Sequence, residues 1–433
     1  MGSTRLTIIL GVAAKGSGAF IQLAIWPIIA LALGSEEFQL FAVIWGATNW
    51  LTQTALGLPV GLSQTLLAAR AERHELSETT NSAFQLFACF TAIALFIIFA
   101  IILAAEMLGV ALIKSGSERT YDLVLLSAML CQLNGGLLIF PGLRLGWDEA
   151  SKYYAWLLVG NVCLLITLLF LVQTSSGLMV YISAIAGIPV VALTLHMLHC
   201  IKDYRPNFSL SINTGIYKSI FVFGTAPSIA HIANIFRVSI PIVVAASLAP
   251  IAEVAAYGVT IRLAQQFVAL AAMVSLPQIA HLSLLLSERD LNGFRLRTAK
   301  ILLFGSGYAL FFGLLLMLFG PQLMQLWLSG AVYVSAWLCA FAGMLIIGWT
   351  VQITLQPALL ALGHGRIIAR LAIFEALIVA LLGYPAFQYG GMVVLASVLA
   401  IPSLFITMPI TLYFAFFRGE NSASRSQRET RAI

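Results

Sequence analysis

The chain has 433 residues, of which 61% are hydrophobic and only 9% charged, and its mean hydropathy is +0.98; a soluble domain carries roughly a quarter charged residues. This composition excludes a soluble globule and points to an integral membrane protein. The formal charge of +6 reads as an orientation signal and not as a nucleic-acid footprint, and the five cysteines lie in apolar runs without CxxC or Cys/His spacing, so neither a disulfide framework nor a metal site is indicated.

A hydrocarbon core about 30 Å thick takes roughly 20 apolar residues per helix. Runs of that length predict twelve spans, at about 6–33, 38–68, 82–110, 121–143, 153–173, 177–199, 214–247, 251–285, 299–319, 332–360, 367–388 and 391–416. The runs are continuous and do not alternate with period two, which selects helices over barrel strands. The first run is too long for a cleavable signal and is expected to remain as a span. The expected fold class is therefore all-α, with about twelve transmembrane helices. They divide into a six-helix bundle at 1–201, a cytoplasmic inter-bundle loop at 202–213, a second six-helix bundle at 214–417 and a disordered cytoplasmic tail at 418–433.

Two features support that division. The stretch PIIALALGSEEFQLFAVIWGATNWL from Pro27 resembles PIVVAASLAPIAEVAAYGVTIRLAQQF from Pro241, at an offset near half the chain length, as a parallel repeat of two pseudo-symmetric halves would give. Most basic residues fall in one alternating set of connections, from Arg5 through Arg70, Arg73, Arg144, Lys152, Lys202 and Arg205 to Arg289–Lys300, Arg366, Arg370 and the tail. The opposite set holds only Lys114 and Arg119, beside the acidic Glu36–Glu37 turn. Both termini are accordingly expected on the cytoplasmic side.

Charges deep in a bilayer cost at least about 2.5–3.5 kcal/mol on insertion scales, so they tend to face a wet cavity or a partner. Arg237 lies in HIANIFRVSIP, too deep for easy snorkelling. At 100° per residue His231, Asn234 and Arg237 share a 120° sector of one helix, with Pro227 and Pro241 as sources of distortion. The alternative is that Arg237 pairs with an acid or caps carbonyls at a Pro-distorted turn. Arg262 falls near the middle of the eighth span, with Gln265 and Gln266 one turn on, and Lys15 lies in the first span among Gly11, Gly16 and Gly18. Lys15 can also snorkel, and Lys218 is close enough to the cytoplasmic end to do so. Glu375 is the only carboxylate well inside a span. It either couples transport to a cation or neutralises one of the arginines. His196, His199 and His281 are read as ordinary polar residues, and Gln132, Asn134, Asn161, Gln352 and Gln356 as interhelical hydrogen-bonding groups. No ATP loop, dinucleotide fingerprint, HExxH or nucleophile triad occurs, so neither an enzyme nor a cofactor is expected.

Several stretches resemble one family. AAYGVTIRLAQQFVALAAMVSLPQIAHLSLLLSERDLNGFRLRTAK from Ala255 is similar to the span-eight region of polysaccharide flippases, with a Tyr, an Arg, an apolar run, a Pro and a basic loop in order. PALLALGHGRIIARLAIFEALIVALLGYPAFQYGGMVVLASVLAIP from Pro357 resembles their final helix with a Glu and Gly-rich hairpin, and PIIALALGSEEFQLFAVI their opening hairpin. The span layout of essentially the whole chain resembles Wzx-type lipid-linked oligosaccharide flippases, of the superfamily that also holds multidrug extruders and the lipid II flippase.

The resemblance implies a bacterial inner-membrane protein that works by alternating access. Its partners would be an undecaprenyl-diphosphate-linked oligosaccharide and the phospholipid bilayer, with polysaccharide polymerase and chain-length proteins as further partners and no nucleic acid. It also implies a cationic central cavity, which Lys15, Arg237 and Arg262 would supply; the helix face shared with Arg237 adds His231 and Asn234 as substrate-binding candidates, and the depth of Glu375 makes it the coupling candidate. Many relatives carry an Asp before the Leu-Gly of the second span, where this chain has Ala55, Leu56 and Gly57. A multidrug extruder is the competing reading, although it calls for acidic residues where this chain is mostly basic. A membrane glycan polymerase is the other, although it calls for a large outer loop that this chain lacks.

Overall fold

Backbone in hydrocarbon has no water to bond, so each crossing must satisfy its own N–H and C=O groups. Every regular element among the described residues is accordingly helical. The computed structural model describes residues 2–55, 57–71, 76–108, 113, 119–174, 176–206, 213–275 and 277–416. Leu56, Arg73 and Lys114, residues 207–212 of the expected inter-bundle loop and the expected tail at 418–433 lie outside the described residues.

In chain order the helices are α1 Gly2–Thr48, α2 Leu58–Ala71, α3 Leu76–Met107, α4 Arg119–Leu137, α5 Ile139–Gly146, α6 Ala150–Leu171, α7 Leu178–Tyr204, α8 Thr214–Asn234 and α9 Ile240–Leu248. They continue as α10 Ile251–Ser275, α11 Gln278–Ser287, α12 Leu291–Trp327, α13 Ala336–Ala361, α14 Gly365–Pro402 and α15 Met408–Phe416. A 3-10 turn, Asn49–Gln53, follows α1, and π turns at Ile235–Ser239 and Ser403–Thr407 join α8 to α9 and α14 to α15.

Among the described residues, ten helical stretches are long and apolar enough to cross a bilayer. Two of them, Ile9–Ala69 and Gly365–Phe416, run to 61 and 52 residues, more than twice what one crossing needs. Each folds back on itself at a glycine. The break in α1 is at Gly34, with φ of 73°, and that in α14 at Gly390 and Gly391, the latter with φ of 64°. A side chain on either left-handed residue would press its Cβ against the following carbonyl. Counting both hairpins, the described residues supply the twelve crossings expected from hydropathy.

Packing reverses the soluble pattern. Ile93, Phe96 and Ile101 of α3, Ile166 and Phe170 of α6 and Leu303 and Phe311 of α12 are exposed, as lipid-facing side chains must be. Tertiary contacts divide the chain into two compact units. One comprises Met1–Ile235, Ile242–Ala255 and Leu328–Val332, and the other Phe236–Pro241, Ala256–Trp327 and Tyr333–Ile433.

In the first unit α1 packs on α6, α2 lies between α5 and α8, and α7 contacts α4 and α6. Leu58, Leu62 and Leu66 of α2 meet Phe84, Phe140, Leu143 and Leu193 in its core, where Phe84 and Phe140 stand 4.9 Å apart between ring centres. The second unit is organised around α13, which α12, α14 and α15 flank. Val351, Leu355 and Leu359 of α13 pack against Ala415 there.

Candidate functional site

Arg237 belongs to the π turn Ile235–Ser239, which ends two residues before Pro241. The wider i→i+5 turn breaks the uniform 100° step, so the common face expected for His231, Asn234 and Arg237 does not carry across it as an ideal helix would. The Arg237 side chain is 17% exposed and ion-pairs, through Nη1, with Oε2 of Glu375, which is 2% exposed. Its guanidinium carbon lies 4.6 Å from the ring centre of Trp349. The acid-pairing alternative for Arg237 is therefore the arrangement found. Glu375, from the first half of α14, balances the arginine within the second unit.

The other carboxylate oxygen of Glu375 is also occupied. Thr407 donates its hydroxyl hydrogen to Oε1, and the Gln352 amide nitrogen is 3.4 Å from the same atom. That nitrogen lies 2.7 Å from Thr407 Oγ1, 3.2 Å from Ser403 Oγ and 3.3 Å from the Ser403 carbonyl. Ser403 and Thr407 are the two ends of the second π turn. α13 comes close to this turn at Gly348, where a Cβ would stand 2.9 Å from Ser403 Oγ. Both π turns among the described residues thus deliver polar groups to one buried carboxylate. A buried ion pair survives desolvation only when its remaining lone pairs and protons are matched, and Gln352, Ser403 and Thr407 provide that matching.

The remaining sequence-selected residues are placed as follows. Arg262 of α10 is 9% exposed, with Nη1 3.2 Å from Gln265 Oε1. Lys15 is exposed on α1, its Nζ 5.7 Å from the ring centre of Tyr154. The adjoining turn of α1 is held to α6 by Asn161, whose Nδ2 donates to the Ala14 carbonyl at 2.9 Å and to Ser17 Oγ at 3.0 Å. His231 and Asn234 are half-buried on α8. The structure therefore brings Arg237 to Glu375, and leaves Lys15, His231 and Asn234 in the other unit.

A second charged cluster was missed in the sequence. Arg144, counted there only as a cytoplasmic orientation charge, is 0% exposed. Its Nη1 pairs with Glu149 and, at 2.8 Å, with Asp203, and its guanidinium stacks 4.8 Å from the Tyr204 ring centre. Lys152 bridges the same two acids at 2.9 Å each. His199 Nε2 stands 3.5 Å from Asp203 Oδ2, while Nδ1 accepts from Trp156 at 3.1 Å, which fixes the neutral tautomer with its proton on Nε2. Burial raises the Glu149 carboxyl pKa, but hydrogen bonds from Tyr204, Lys152 and Arg144 outweigh it and hold Glu149 below the usual carboxylate range. The available signal was the crowding of charge in RLGWDEASK together with KDY at 202–204.

No protein-family model and no curated protein matches the sequence. Solved structures do match over nearly its full length. An inward-facing multidrug resistance MATE family transporter of the MOP superfamily superposes with a TM-score of 0.71 at 16% identity, covering 94% of this chain and 95% of that one. The fold is that of MOP superfamily transporters. The lipid II flippase MurJ, in an inward closed conformation, gives a TM-score of 0.68 at 14% identity over 94% of this chain and 87% of its own. A MOP superfamily transporter from Pyrococcus furiosus, for which a binding pocket of reverse polarity was taken to suggest a different function, gives 0.62 at 16% identity over 97% and 96%. These structures are transporters and a flippase, not enzymes. The likeness fixes a multi-pass membrane fold and leaves the cargo to be argued from this chain's own residues.

Proposed function

We propose that the protein translocates a polyprenyl-diphosphate-linked oligosaccharide across the bacterial inner membrane, with both termini cytoplasmic, for the synthesis of O-antigen, capsule or exopolysaccharide. One observation carries this reading: the deep carboxylate Glu375 is paired with Arg237, and the deep charges Lys15, Arg237, Arg262 and Glu375 are three positive against one negative. A diphosphate head group cannot cross hydrocarbon alone, and fixed cations attract it more strongly in a low-dielectric setting than in water. Arginine suits bidentate phosphate contact and lysine serves as a point charge. In this reading Lys15, Arg237 and Arg262 meet the head group, His231 and Asn234 offer it hydrogen bonds, and Glu375 takes the coupling role by holding Arg237 in place. Glycan polymerase and chain-length proteins would act on the product.

A multidrug extruder is the second reading, since a MATE family transporter is among the solved structures that share the fold. The test is complementation of a flippase-deficient strain matched in glycan, with wild type, Lys15→Ala, Arg237→Ala and Arg262→Ala compared at equal membrane levels. Surface polysaccharide restored by wild type and lost in Lys15→Ala and Arg262→Ala supports the flippase. Drug resistance conferred by wild type without glycan rescue would replace it with the extruder.

A further inference from the structure

We infer that the guanidinium of Arg237 is a tethered cation: as part of the chain, it occupies the place beside Glu375 that a dissolved monovalent cation would otherwise take. The inference rests on the reading of Glu375 as the coupling carboxylate and specifies which cation meets it.

Oε1 of Glu375, Thr407 Oγ1, Ser403 Oγ and the Ser403 carbonyl are gathered around the Gln352 amide, with Oε2 of the same carboxylate on the Arg237 side. This set is oxygen-rich, carries a single negative charge and is almost sealed from solvent, which are the properties of a hard-cation site. In this chain the positive charge comes instead from Arg237 Nη1 on Oε2, with the face of Trp349 over the guanidinium.

An arginine side chain stays protonated throughout the physiological range. Unlike a proton or a dissolved ion it cannot exchange with solvent, and it can leave Glu375 only by moving its side chain or the π turn that carries it. A second cation would meet the fixed guanidinium at short range, where the low dielectric makes repulsion strong. The native site therefore excludes it. Removing the guanidinium should open a vacancy for one.

The test uses purified full-length protein and no cargo. Thermal unfolding is followed in choline, sodium or guanidinium chloride, each at the same low-millimolar concentration, for wild type, Arg237→Ala and Arg237→Ala/Glu375→Gln. Wild type is expected to have the same Tm in all three salts. Arg237→Ala should gain about 2 °C or more when sodium or guanidinium replaces choline, and the double variant should not respond. A sodium response in wild type that Glu375→Gln abolishes would overturn the inference, and so would an Arg237→Ala variant indifferent to both ions. Should Arg237→Ala fail to accumulate, Arg237→Lys decides: its tethered ammonium predicts no sodium response, and a response refutes the inference. Because the readout is ion-dependent stability without cargo, it stands or falls separately from complementation.

Discussion

Arg144 and Asp203 are 59 residues apart in the chain, yet Arg144 Nη1 donates to Asp203 Oδ2 at 2.8 Å, so that the end of α5 is fastened to the end of α7. Glu149 and Lys152 close the ring from the start of α6. Three helix ends are thereby tied by two acids and two bases. Removing one member of a buried ion pair leaves its partners uncompensated and costs about 3–5 kcal/mol. Arg144 is fully buried, whereas Glu149 and Asp203 keep 31% and 24% of their side-chain exposure, which screens them and lowers the cost. Arg144→Met is therefore expected to destabilise by about 3 kcal/mol, and Lys152→Met, which removes a half-exposed amine, by under 1 kcal/mol or so. Thermal unfolding of both variants in one detergent checks the order, and equal losses would refute the clamp.

Acid should loosen the same cluster. Glu149 is held below the usual carboxylate range by its partners, so the folded state favours its ionised form. The stability this contributes is fully present above the unfolded pKa of about 4.3 and is lost as pH falls through the lower folded value. Glu149→Gln should therefore unfold with a shallower dependence on pH below about 4 than wild type, and the two curves should run parallel at neutral pH. Parallel curves in acid as well would show that Glu149 carries no such linkage.

These groups show where sequence reasoning succeeds and where it stops. The twelve crossings were legible because hydropathy is local, and the Gly34 and Gly391 hairpins coincide with breaks in it. Arg237 and Glu375 were legible as misfits, each a charge inside an apolar run. Their pairing across 138 residues was not, because it depends on where α14 lies against the π turn. Arg144 looked like any loop-end cation, since Asp203 and Tyr204, which meet it together with the nearby Glu149, come from α7 far along the chain. Neither π turn has a sequence signature beyond the nearby Pro241 and Pro402.

For the Arg237–Glu375 pair, Glu375→Gln takes the charge from the acid and leaves the guanidinium half-buried without its carboxylate. A loss of about 3 kcal/mol or more is expected. Arg237→Gln should cost a similar amount, because it strands the carboxylate. The double variant restores neutrality and should lose less than the sum of the singles, with a coupling of about 2 kcal/mol. Additive losses in a double-mutant cycle of thermal unfolding would mean that the two side chains do not act as a pair.

The seam between α2 and α8 is built on backbone approach, and its tolerance is the sharpest steric prediction. A Cβ on Gly57 would stand 2.0 Å from the Gly224 carbonyl oxygen, and one on Gly61 2.0 Å from that of Ile220. The backbone N–H of Gly57 donates to Ser228 Oγ at 2.9 Å, and one turn beyond Gly61 the Thr65 and Ser219 hydroxyls meet at 3.1 Å. Neither carbonyl can give way without moving a helix. Gly61→Val should therefore push α8 away at a cost of about 3 kcal/mol, at the upper end for overpacking, whereas Ser228→Ala removes one hydrogen bond and should cost about 1 kcal/mol. A Thr65→Cys/Ser219→Cys pair reports the distance directly. It should form a disulfide readily in the otherwise native chain and far more slowly when Gly61→Val is added. Equal rates of oxidation in both backgrounds would show that the two helices do not depend on glycine to meet.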